Sequence, residues 1–388
     1  MNTEELLFAL LRVAVCGETA SEELNNACTD EQLGRVYALA SRYDVAHLVG
    51  QALGKLNVGA SEAAELCKKS TMRAVYRYVG MSNAYETVCQ VLEDEKIPFI
   101  PLKGSVLRTW YPEPWMRTSS DMDILVRKEQ VEEIAALLQE KLQYVGTGGS
   151  AHDIGLRSPG GQLLELHYSM IEDFVSKKSS KIMETVWEEA IPMEGKQYHL
   201  QLADPLFYYY HMAHMAKHLE LGGCGLRPFL DIWILNHRVP YDGAERNKLL
   251  ESGGLLTFAK CTEKLSEIWF SGAETDPMSQ NLQEFVFSGG SYGGLKNRVA
   301  VNQAKQGGKF RNAMTRIVLP YDVMKYYYPI LQKHKWLTPV YQIVRWCKLL
   351  FCGGVKRSVK ELQTNADVSR EEAGKTKELL DYLGLNTH

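Results

Sequence analysis

The stretches "SDMDILV" (120–126) and "LLELHYS" (163–169) constrain this 388-residue chain more than any other feature. Side chains two apart in a strand point to the same face. In the first stretch Asp121 and Asp123 take one face while Met122 and Ile124 take the other. In the second, Glu165 and His167 alternate with Leu164, Leu166 and Tyr168. Both read as strands with one apolar face for a core and one face carrying acids. Two carboxylates projecting together repel and raise each other's proton affinity. Such a pair needs a reason, and a divalent cation is the usual one.

Elsewhere the apolar period is helical. "EELLFALLRVAV", "DEQLGRVYALASRYDVAHLVGQAL" and "AVYRYVGMSNAYETVCQVLEDE" space apolar residues by three and four, which makes 1–94 an N-terminal helical region. Residues 95–195 read as an α/β core. In it "KIPFIPL" is a short strand, "GSVLRTWY" begins a helix, and "RKEQVEEIAALLQEKL" is an amphipathic helix. Pro159-Gly160-Gly161 turns a hairpin between two extended runs. Residues 196–388 form a C-terminal helical domain, in which Pro228 suits the first turn of "RPFLDIWILNHRV". "SGGSYGGLKNRVAVNQAKQGGKF" reads as a long surface loop, and "KKSSK" near residue 180 as a solvated one. The class is α+β: a small mixed β-sheet palm embedded between N-terminal and C-terminal helical regions.

The formal net charge of -3 gives no surplus of cations for neutralising phosphate backbones, so general nucleic-acid binding is not expected. Eight cysteines without a C-x-x-C pair give no thiolate zinc site and read as buried reduced thiols. The N-terminal acids precede the apolar run, unlike a secretory signal, and Thr3 reads as a helix N-cap. "WLTPVYQIVRWCKLLFCGG" is interrupted by Pro339, Arg345 and Lys348. It reads as an amphipathic helix packed on the protein, with no stable membrane insertion. A cytoplasmic protein is the expectation.

Before the aspartates stands "LKGS". A glycine at a strand-to-helix turn lets the backbone approach a ligand, and a helix N-terminus offers N–H groups to phosphate. Lys103 reads either as a phosphate partner or as a surface lysine. Arg117 reads either as a phosphate partner or as the mate of an aspartate that holds its loop. His167 is a metal-adjacent donor or a strand histidine satisfied by backbone. His211, His214 and His218 share a helical face without forming a recognised zinc motif. They read as a pocket wall or a polar seam. Asp231, four residues after Arg227, reads as its salt-bridge mate or as an acceptor-binding group.

A Gly-Ser turn, then Asp-x-Asp, then a later carboxylate on a strand resembles the nucleotidyltransferase superfamily with the DNA polymerase β-type palm. "PLKGSVLRTWYP", "SDMDILV" and "LELHYS" together resemble one branch, the uncharacterised nucleotidyltransferases of the NTP_transf_5 type. The specific part covers roughly 100–170; "YYYPILQKHKWLTPVYQIVRWCKLL" is similar more weakly. Two departures stand out. The gap from Gly104-Ser105 to Asp121 is longer than in the superfamily, and Glu165 stands where many members have Asp.

The resemblance implies a nucleotidyltransferase that moves an NMP from an NTP to an acceptor hydroxyl, with the acceptor a small molecule. It implies two Mg²⁺ ions, with Mn²⁺ as an alternative, held by Asp121, Asp123 and Glu165. Glu165 would also take the acceptor's proton. Gly104 and Ser105 would hold the β- and γ-phosphates, and Lys103 and Arg117 would neutralise them. His167, His211, His214 and Asp231 are the candidate substrate pocket. The alternatives are nucleotidylation of a protein or RNA, and a non-catalytic NTP-binding scaffold.

Overall fold

The computed structural model describes residues 1–149, 152–171, 176–290, 293–351 and 355–385. Its centre is a five-stranded sheet: β1 (Ile100–Pro101), β2 (Asp121–Leu125), β3 (Val145–Gly149), β4 (Asp153–Arg157) and β5 (Leu163–His167), in the order β1-β2-β5-β4-β3. Only β2 and β5 run parallel; the other pairs are antiparallel. The sheet is therefore mixed, and β4–β5 is the hairpin expected from the Pro-Gly-Gly turn.

Parallel neighbours need a long crossover. Helix Val131–Leu142 supplies part of it. Its Val131, Ile134, Ala135 and Leu138 pack with Met122, Ile124, Leu164 and Leu166, the apolar faces of β2 and β5. The long helix Glu62–Asp94 closes the same core through Met81, Val88, Cys89 and Leu92, while its first turns join the larger core at Ala63 and Cys67. One helix thus ties the N-terminal region to the sheet. The opposite sheet face, with both aspartates, is left for the C-terminal helices. Helix Asp204–Glu220 carries "FYYY" in the core: Tyr208 and Tyr209 are fully buried.

Several local expectations are corrected. Asn2, one residue before Thr3, is the first N-cap and forms a capping box with Glu5. Lys177–Met183 is a helix capped by Ser176. Leu295–Gln306 is also a helix, inside the segment read as a loop. Leu295 and Val299 pack with Val368 and Ala373, so tertiary burial stabilises what flanking glycines obscured. Of the seven described cysteines five are buried, Cys16 is half-buried and Cys347 is exposed. No helix among the described residues is long and apolar enough to cross a membrane. Among the described residues, helix Thr338–Phe351 buries Gln342 and leaves Val340, Ile343, Leu350 and Phe351 exposed. Gln342, Arg345 and Trp346 donate to the carbonyls of Arg316, Ile317 and Leu319.

Candidate active site

The parallel pairing sets the site. In the β2–β5 register Asp123 lies opposite Glu165, Asp121 opposite Leu163, and Leu125 opposite His167. The pleat turns Asp121, Asp123, Glu165 and His167 into one cleft of about 310 Å³. Its far wall is helix Asp204–Glu220, through Tyr210, His214, Lys217 and His218. Lys103, Gly104, Ser119 and Ser120 form one end, with Arg117, His152, Met170 and Arg227 completing the lining.

Asp123 is buried and doubly engaged. Its Oδ1 accepts from Lys103 Nζ at 3.3 Å and from His167 Nε2 at 2.7 Å. Burial alone would raise its pKa, but Lys103 and His167 outweigh that and hold it well below the usual carboxylate range. Burial likewise opposes the charge on Lys103, yet Asp123, Tyr210 and Asp121 raise its pKa. Burial also works against protonated His167, but its bonds to Asp123 and Glu165 favour the imidazolium. Asp121 shows the opposite balance. Burial and the charge of Asp123 raise its pKa against Lys103. Its carboxylate accepts from Ser120 Oγ at 3.1 Å.

Lys103 reaches Asp123 through unusual backbone. Its φ of 44° lies where side chains are disfavoured, and sequence patterning gave no sign of this. The turn is tight. The amide of Ser105 donates to Leu102 O, and those of Val106 and Leu107 to Lys103 O. The four-residue helix Gly104–Leu107 therefore spends three of its first N–H groups internally, against the expectation of an open N–H cradle. Ser105 is outside the cleft lining. Gly104 has a packing reason as well: a Cβ there would stand 3.2 Å from Ser119 Cβ.

Arg117 takes the loop-holding role. It makes a two-bond clamp on Asp231, Nε to Oδ1 at 2.7 Å and Nη2 to Oδ2 at 2.8 Å, and Tyr111 Oη donates to the same carboxylate at 2.7 Å. Asp231 is fully buried and does not line the cleft, so the geometry does not make it an acceptor contact. Its mate is Arg117, not Arg227, whose guanidinium bonds Thr118 O at 2.8 Å. Burial raises the Asp231 pKa but Arg117 outweighs it, leaving the carboxyl below its usual range.

A depressed carboxyl stabilises the fold above its unfolded pKa of about 3.9, and that contribution disappears as pH falls through the lower folded value. Asp231→Asn is expected to cost about 2–3 kcal/mol near neutral pH. The deficit shrinks in strong acid, where the parent loses the charge too. Urea unfolding across that range measures it; equal stability at neutral pH would remove the clamp from the account.

The histidine face divides. His211 bonds Pro228 O at 3.1 Å and lies outside the cleft lining, contrary to its assignment to the substrate pocket. His214 and His218 face the cleft with their Nε2 atoms 3.1 Å apart. Burial, and after it the Lys103 charge, push the His214 pKa well below the usual imidazole value. No described carboxylate joins these three in a metal-ligating group. Among the described residues, two other groups bring metal-ligating atoms together: Asp123, Glu165 and His167, and His152, Asp153 and His167. Within each, the ligand atoms lie within 4.8 Å of one another. Carboxylate oxygens with an imidazole suit a divalent ion. The first group contains two of the three expected carboxylates and adds His167; Asp121 borders it.

Sequence reading missed Lys217, Arg227, Tyr210 and His152. The first three carried a readable signal. Tyr210, His214, Lys217 and His218 follow a spacing of four, three and one along a single stripe, and Arg227 opens the next helix.

A family described as uncharacterised nucleotidyltransferase matches residues 29–271, well over half of the chain. That span contains the sheet, the long helix and both walls of the cleft. No curated protein and no solved structure matches.

Proposed function

The chain belongs to the uncharacterised nucleotidyltransferase family, and from that premise we propose that its cleft moves an NMP from an NTP to the hydroxyl of a small-molecule acceptor, with a divalent cation. The observation that carries this reading is the register pairing of Asp123 with Glu165 on adjacent parallel strands, with Asp121 in the same cleft.

Asp121, Asp123 and Glu165 would hold Mg²⁺ or Mn²⁺, both suited to carboxylate oxygens, with His167 at the edge. Bound there, the cation supplies charge stabilisation for the phosphoryl oxygens and leaving pyrophosphate. The chain's own groups do the rest. Lys103, Lys217 and Arg227 bring positive charge to the triphosphate. Lys103 also releases Asp123 when the phosphates take its ammonium. Glu165 accepts the acceptor's proton. Tyr210 and His214 close the far wall and orient the acceptor.

The test has two arms. Thermal melts of the full chain with each NTP, with and without Mg²⁺ or Mn²⁺, should show stabilisation that needs the ion. α-Labelled NTP incubated with protein and cell extract should place label in the small-molecule fraction. No ion-dependent stabilisation and no label would favour a non-catalytic scaffold; label in protein or RNA would replace the acceptor class.

A further inference from the structure

Residues 309–360 contain eleven Lys and Arg against one acid, a net of +10 in a chain whose formal charge is -3; the remaining residues therefore sum to -13. The same segment exposes large apolar side chains. Helix Lys309–Ile317 shows Phe310, Met314 and Ile317 at a spacing of four and three. Beside it, Trp336, Val340, Ile343, Cys347 and Leu350 continue at spacings of four and three along helix Thr338–Phe351 and the turn before it. Trp336 is 75% exposed, Leu350 66% and Phe351 86%. The two helices meet where Trp346 Nε1 donates to Ile317 O at 2.8 Å, so their outward residues lie on neighbouring surfaces.

We propose that this segment is a peripheral docking surface for an anionic lipid bilayer. Charge decides the occupant. Phe, Trp and Leu along a helix flanked by cations sink into the headgroup boundary, while the cations meet anionic headgroups. Arg311, Lys333, Lys335, Lys348 and Lys360 are exposed for that role. A second copy on the same face would bring two +10 segments together. A nucleic acid would use the cations and leave the apolar stripe without a partner. The acidic remainder is repelled by an anionic surface, which makes the docking one-sided. The segment also reaches the cleft: Tyr326 Oη and His152 Nδ1 are 3.1 Å apart.

The probe is co-sedimentation of the full chain with vesicles of phosphatidylcholine alone or mixed with phosphatidylglycerol. Partition should rise at least about tenfold on the anionic vesicles and fall as salt is added. Ile343→Glu with Leu350→Glu should abolish it. Lys333→Gln with Lys348→Gln should lower it on the order of tenfold or more and flatten its salt dependence. All four side chains are exposed, so melting temperatures should match the parent. Equal partition on both vesicle types, or unchanged partition in both double variants, would overturn the proposal. So would a dimer abolished by Ile343→Glu, or RNA binding, in a chain that ignores vesicles.

Discussion

Asp123→Asn is expected to lower NMP transfer by more than about a hundredfold and to destabilise the protein as well. Charge repulsion between Asp121 and Asp123, taken alone, leads to the opposite expectation for stability: removing either charge should help. The structure separates the two positions. Asp123 is buried and receives both Lys103 and His167, so the neutral amide leaves two cationic groups undercompensated. About 2–3 kcal/mol is the expected cost. Asp121 is held above its usual pKa by burial and by Asp123. Asp121→Asn should therefore melt at or slightly above the parent temperature, while transfer still falls more than about a hundredfold. Melts and single-turnover transfer on the same preparations test both halves. Near-normal transfer in either variant would move the site. Equal melting of the two variants would mean that Lys103 and His167 do not hold Asp123 as drawn.

The two alternating strands were legible because one face of each is buried, and burial on one face imposes a period of two. Their mutual register was not legible. Nothing local to "SDMDILV" says that Asp123 meets Glu165; that comes from the crossover helix packing Met122 and Ile124 against Leu164 and Leu166. The same holds for charge pairing. Asp231 has an arginine four residues before it, yet the fold delivers Arg117 from 114 positions away. Local spacing proposes a partner, and tertiary geometry chooses one. Glycine misled in two ways. At Leu295–Gln306 the flanking glycines suggested a loop although the intervening residues had a face to bury. At "LKGS" the glycine marks the turn, but the residue with positive φ is Lys103, whose ammonium pairs with Asp123 rather than lying on the surface. A turn motif shows where backbone bends, but the residue bearing the strain depends on which side chain the site requires.

Glu165→Gln separates nucleotide binding from transfer. Glu165 is the register partner of Asp123, and its carboxylate is only partly buried, with Oε2 3.4 Å from His167 Nε2. Glutamine keeps the size and an oxygen for that contact, and Lys103, His167 and both aspartates remain in place. NTP affinity should stay within a few-fold of the parent. The lost group is a base and a negative ligand, so transfer should fall by about 10²–10⁴. Glu165→Asp should recover part of the rate, since it restores charge while withdrawing the oxygen by about one bond length. Calorimetric titration with NTP and single-turnover transfer, run on the same preparations, measure both quantities. Joint loss of affinity and transfer would mean that Glu165 holds the nucleotide itself. Normal transfer would place the proton acceptor elsewhere. Asp153 is then the next residue to change, because it already shares a metal-competent cluster with His152 and His167 on the neighbouring strand; Glu172, the other candidate, lies outside the described residues.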